Sequence, residues 1–305
     1  MRKRILSLLL VPLLLSGCST SATNETKSES SNVSTTERKT DVKTEKNQNV
    51  TSGSVKDMSN WTYTSGEEPV KVINNDQPTT IKAEDFTKAH IDYASLDSLN
   101  RTGTATAYLT KGNLGRSKSR TEQVWKPTGW HNEPVNVNGS RVIPQNRGHL
   151  IAYTMTFNLN DSGKEEQGHL GSINNPYNLF TQTAFSNQKT MTETEQMVRT
   201  ALAQNKKVIY QVTPIFHGND LMARGVWVQA LSMDGTMKFN KYLWNVQSGM
   251  QFDYATGRSK SDSSFEVPGD DGQTQKANYG NNGYKKHHNY HHSSHHFQSY
   301  HHYRK

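Results

Sequence analysis

His149 closes the run Asn146-Arg147-Gly148-His149. Histidine is the side chain whose ordinary pKa lets it take or give a proton near neutrality. A Gly-His pair alone carries little information, because a lone histidine in a folded domain is more often structural than catalytic. Its weight comes from the residues downstream. The stretch 174–188, Asn-Asn-Pro-Tyr-Asn-Leu-Phe-Thr-Gln-Thr-Ala-Phe-Ser-Asn-Gln, is dense in side-chain amides, and a helical pattern holding Glu195 and Arg199 comes next.

The elements that must position these residues are legible as periodicity. Met191 to Asn205 reads as a helix. Thr192 and Glu195 have capping-box spacing, and Met197, Val198, Ala201 and Leu202 form one apolar stripe. Ala105–Tyr108, Val142–Ile143, Leu150–Phe157, Val208–Val212, Val226–Met233 and Met237–Tyr242 read as strands. Asp234-Gly235 between the last two is a hairpin signal. Strands on both sides of one long helix predict an α+β domain with a largely antiparallel sheet.

Composition predicts that this domain does not fill the chain. Only 32% of the 305 residues are hydrophobic, a poor ratio for a core of full length. Arg2, Lys3 and Arg4 precede an apolar run from Ile5 to Leu15, too short to span a bilayer as a helix, so residues 1–17 read as an export signal. Leu15-Ser16-Gly17-Cys18 resembles the lipobox of bacterial lipoproteins, which implies lipidation of Cys18, membrane anchoring and an extracellular location of Gram-positive type. The alternative is an ordinary cleaved signal with an incidental cysteine. Cys18 is the single cysteine, so no intramolecular disulfide can form. The formal charge is +8, or +5 without the three signal cations, which permits a polyanionic partner without arguing for one. Residues 18–57 read as a flexible Ser/Thr/Lys/Glu tether, 58–256 as the folded domain, and 257–305 as a disordered linker with a His-rich tail.

The run ending in His149, the amide-rich segment and Glu195 in this order resemble the DNA/RNA non-specific endonucleases of the ββα-metal fold, above all the secreted and surface nucleases of streptococci and lactobacilli. The likeness spans about residues 88–256 and includes Arg101-Thr-Gly-Thr-Ala-Thr-Ala-Tyr-Leu109 and Tyr242-Leu-Trp-Asn-Val-Gln247. It implies a nuclease cutting DNA and RNA to 5′-phosphate ends, with His149 as general base. Asn187, 38 residues on, would ligate one Mg²⁺, with Mn²⁺ able to substitute. Glu195 would hold waters bound to that cation. On one regular helix it would lie about 80° from Asn187 and roughly 12 Å along the axis. Arg199 would pair with Glu195 or bind phosphate, and Asn178, Gln182 and Arg147 would sit near metal and substrate. The alternatives are a capping role for Glu195, a solvated partner role for Arg199, loop-satisfying amides for Asn178 and Gln182, and bracing of the motif by Arg147.

One position departs from the family's pattern. Its motif usually begins with Asp, and here Asn146 stands there, which implies weaker metal binding or an inactive relative. Arg116, Lys118 and Arg120 alternate with serines, so an extended segment would project all three to one side as a phosphate-following row. His90, His131, His169 and His217 match no motif. The tail's His pairs at 287, 291 and 295 suit Zn²⁺. The rival reading is therefore a catalytically weak or inactive surface lipoprotein that binds nucleic acid or zinc.

Overall fold

The computed structural model describes residues 54–272. The export signal, Cys18, nearly all of the tether and the His-rich tail lie outside the described residues. In chain order the elements are α1 (Val55–Met58), β1 (Val70–Val72), β2 (His90–Tyr93), β3 (Ala105–Leu109), β4 (Val135–Val137), β5 (Ser140–Val142), β6 (Gln145–His149) and β7 (Leu179–Thr183). A π-helical turn, Ser186–Met191, then runs into α2 (Thr192–Ala203). β8 (Val208–Ile215), β9 (Gly225–Ser232), β10 (Lys238–Trp244), β11 (Met250–Asp253) and β12 (Arg258–Ser261) complete the order. Among the described residues no helix is long and apolar enough to cross a membrane.

Six strands form one antiparallel sheet in the order β1-β10-β9-β8-β3-β2. Alternation along its strands separates two cores. Val226, Val228 and Ala230 of β9 face one way, with Val208, Tyr210 and Val212 of β8, onto Val198, Ala201 and Leu202 of α2. Trp227, Tyr242 and Trp244 face the other way, onto Met58, Ile73 and Val267. The Asp234-Gly235 turn forms as expected. Gly235 takes φ +70°, and Asp234 accepts from the Thr236 backbone and side chain, joining β9 to β10.

β6 and β7 pair apart from the large sheet, antiparallel, with Asn146 opposite Gln182 and His149 opposite Leu179. With the helix after β7 they make the ββα unit. Leu150, Ile151, Met155, Phe180 and Met191 seat this unit on the sheet face that α2 covers.

Several expectations are corrected. Leu150–Phe157 is no strand: a 3₁₀ turn covers Tyr153–Met155, and the strand is the polar motif before it. An unbroken apolar run marks burial without choosing an element. Thr192 caps nothing, because the helix is already under way and Met191 is itself helical; the Thr192 hydroxyl donates to Asn187 O at 3.1 Å. Met197 is left exposed by the stripe. Arg116, Lys118 and Arg120 do not form an extended row, since Ser117–Ser119 is a 3₁₀ turn. Residues past 256 remain part of the fold: β12 pairs with β11, and Val267 is buried.

Candidate active site

The polar run 145–149 is a strand because its buried groups are all partnered. Gln145 is fully buried; its Oε1 accepts from His131 N at 2.7 Å, and its Nε2 donates to Gly257 O at 2.6 Å and Gly129 O at 3.2 Å. Gly148 is fixed by a close approach. A Cβ there would sit 2.2 Å from Gln182 Oε1 and 2.9 Å from Gln182 Cβ. This strand carries His149 to the edge of a cleft of about 1140 Å³.

Asn187, Thr192 and Glu195 line the same cleft. The π turn brings Asn187 and Glu195 to one face. Such a turn inserts roughly one residue into an α-helix, so eight residues span about two whole turns and the 80° offset of a regular helix is largely removed. The sequence contained both residues but not this correction to their phase.

His149 Nε2 lies 3.2 Å from the carbonyl of Ile173. A carbonyl only accepts, so Nε2 carries the proton and Nδ1 keeps the lone pair. Burial, aided by the Arg120 charge, lowers the His149 pKa to about 4, against carbonyls of Ile173 and Ser172 that favour the protonated ring. The ring is neutral at physiological pH, and those carbonyls stand ready to stabilise it once protonated. Burial raises the Glu195 carboxyl to about 7, with Arg199 and Arg120 opposing.

Four cations, Arg120, Lys126, Arg141 and Arg147, line the cleft, against one carboxyl, Glu195. Arg120 lies over the Tyr153 ring at 5.7 Å, and the Tyr153 hydroxyl meets Ser119 Oγ at 2.8 Å. Arg147 stacks on Trp130 at 4.5 Å and donates to Trp125 O at 2.6 Å, so its guanidinium braces the wall it belongs to. Arg120 was visible in the sequence only as one of a row. Lys126, Trp130 and Arg141 gave no signal beyond their types.

The remaining candidates stand back from the cleft. Asn178 is fully buried; it receives Ile151 N and donates to Ile151 O, both at 2.9 Å, taking the place of a strand partner after His149. Gln182 donates to Ser186 Oγ at 2.9 Å at the start of the π turn, and its buried Oε1 has no partner. Arg199 is not on the lining. It donates to Thr154 Oγ1 and Thr154 O, and so ties α2 to the turn after His149. His90, His131, His169 and His217 do not line the cleft. A smaller pocket of about 370 Å³, walled by Trp61, Tyr63 and Trp244, contains no acid–base pair.

The order β6, β7, helix, with a neutral histidine, an asparagine and a carboxyl lining one cleft, coincides with a family match over residues 80–233. The chain belongs to the DNA/RNA non-specific endonuclease family. It is similar to NucA from Streptococcus agalactiae in two solved structures. One, with magnesium ion bound, is 33% identical, covers 65% of this chain and 91% of that one, and has a TM-score of 0.54. The other, with no metal bound, is 32% identical, covers 63% and 87%, and has a TM-score of 0.53. The protein is a nuclease, and nucleic acid is its substrate class.

Proposed function

We propose that this nuclease hydrolyses phosphodiester bonds of DNA and RNA without regard to sequence, with His149 Nδ1 as general base. The observation carrying this reading is the carbonyl of Ile173 on Nε2, which leaves Nδ1 as the basic nitrogen of a neutral ring beside a cationic cleft. Arg120, Lys126 and Arg141 draw the polyanion in and hold its phosphates. Nδ1 takes a proton from water as the water oxygen bonds to phosphorus. The bond from phosphorus to the 3′ oxygen then breaks, and that oxygen takes a proton from a second water while His149 returns its own to the hydroxide so formed, leaving a 5′-phosphate and a 3′-hydroxyl.

The residues present fit a hydrated divalent cation. Among the described residues no cluster of three His, Cys, Asp or Glu side chains exists. Instead the Asn187 amide and the Glu195 carboxyl share one face of the cleft wall. That donor set suits Mg²⁺, which keeps most of its waters. Asn187 would hold it directly and Glu195 through those waters. When bound, it absorbs charge on the phosphate and on the leaving oxygen. NucA with magnesium ion bound supports the choice. Asn146 stands at the cleft without the carboxylate charge usual there in the family, and this reading gives the enzyme a correspondingly lower metal affinity.

Export, lipidation of Cys18 and an extracellular, membrane-tethered location complete the proposal and rest on the first residues of the sequence alone. Digestion of supercoiled plasmid and of RNA by the purified chain tests the chemistry, with Mg²⁺, with EDTA, and as His149→Ala. Loss of the base should cost roughly 10²–10⁴-fold. Cleavage persisting in EDTA and in the variant would refute the mechanism, and end-labelling identifies which product end carries phosphate.

A further inference from the structure

Of the large hydrophobic side chains exposed among the described residues, Val124 and Trp125 are the one consecutive pair, and Trp125 is 37% exposed. Their flanking residues, Gln123 and Lys126, line the catalytic cleft, so the pair sits at its rim. The backbone there is firmly held. Asn174 Oδ1 accepts from Val124 N at 3.0 Å and from Trp125 N at 2.8 Å, and Trp125 O accepts from Arg147 Nε at 2.6 Å. Among the described residues no aromatic ring or cation stacks on the partly exposed Trp125, whereas Trp130 inside the cleft is already covered by Arg147. A partly exposed indole on a pinned backbone has little conformational freedom left to lose on binding.

We propose that Trp125 is a stacking platform for an unpaired nucleobase, with Lys126 beside it receiving the adjoining phosphate. Every base has a π-face, so such a platform is indifferent to sequence. A duplex keeps its base faces inside the stack and cannot offer one at the rim; a single strand can. Trp125 therefore adds affinity for single-stranded DNA and RNA, while the cations inside the cleft serve single strand and duplex alike.

The strap from Arg120 to Lys126 also reaches the catalytic histidine. Gln123 Nε2 donates at 3.1 Å to Ile173 O, the same carbonyl that His149 Nε2 meets.

The proposal rests on the cleft being the nucleic-acid site, and the test separates the two. Binding of the full chain is measured in EDTA by fluorescence anisotropy. The probes are a fluorescein-labelled 12-nucleotide single strand and the same strand annealed to its full complement as a blunt duplex. Trp125→Leu keeps an apolar side chain without the ring, and Trp125→Phe restores a ring. Leucine should weaken single-strand binding roughly tenfold or more, duplex binding less than about twofold, and phenylalanine should recover most of the loss. Equal losses on both probes, no loss, or a leucine variant matching phenylalanine would overturn the stacking role. Arg120→Gln with Lys126→Gln should weaken both probes and flatten their salt dependence. If that pair changes neither, the cleft assignment itself falls. If it weakens both while the Trp125 variants do nothing, only the platform falls.

Discussion

Gly148→Ala tests whether the catalytic strand is built as described. The new Cβ would meet Gln182 Oε1 at 2.2 Å and Gln182 Cβ at 2.9 Å, both inside contact distance, and Gln182 is fully buried. The amide can retreat only by leaving Ser186 Oγ, the residue that opens the π turn before Asn187. Overpacking of this kind costs about 1–3 kcal/mol, and a buried hydrogen-bonding group left without its partner about 1–3 more. A total of about 2–6 kcal/mol corresponds to a fall in Tm of roughly 4–24 °C for a domain of this size. The decisive measurement is a double-mutant cycle in urea, because Gln182→Ala removes the colliding atoms. Gly148→Ala should cost much less in the Gln182→Ala background, with a coupling of at least about 1 kcal/mol. Cleavage should fall in Gly148→Ala beyond what its folded fraction explains, since Asn187 moves with Ser186. Additive effects would refute the claim that glycine is there to admit Gln182.

Three further outcomes are expected. Glu195 has a folded pKa raised from 4.5 to about 7, so its favourable contribution is present below pH 4.5 and is lost as pH rises toward 7. In EDTA, Glu195→Gln should therefore stabilise the protein at pH 8, by at most about 3 kcal/mol and less for the solvent the side chain retains, and should do so far less at pH 4; equal effects at both would contradict it. His149 has the opposite sign: its pKa is lowered from 6.5 to about 4, so acidification through that window should destabilise the wild type, and His149→Gln should lose that slope in a pH series of melting curves. Calorimetric titration with Mg²⁺ should show binding abolished in Asn187→Ala and tightened in Asn146→Asp, and an unchanged Asn187→Ala isotherm would remove that residue from the metal site.

The linear order of residues is enough to identify the family and the enzyme class. His149, Asn187 and Glu195 are proposed as site residues from type, order and neighbouring motifs, and the strands from Val208 onward are visible because each face of that sheet alternates against a core. The Asp-Gly turn is local, and local turn chemistry survives folding unchanged. Other features are set by distant partners and emerge only on folding. Gln145–His149 is a strand although it looks polar, because Gly129, His131 and Gly257 satisfy Gln145 from elsewhere in the chain. The apolar run after it is a buried turn because Asn178 supplies the bonds a neighbouring strand would have given. That same service takes Asn178 out of the cleft, as Thr154 takes Arg199. The π turn that shifts the phase of Asn187 toward Glu195 has no periodic signature in the sequence. The tautomer of His149 is undetermined until Ile173, 24 residues away, places its carbonyl on Nε2. Residue types select the reaction, but which nitrogen, which face and which wall take part depend on contacts that form only when separated segments meet.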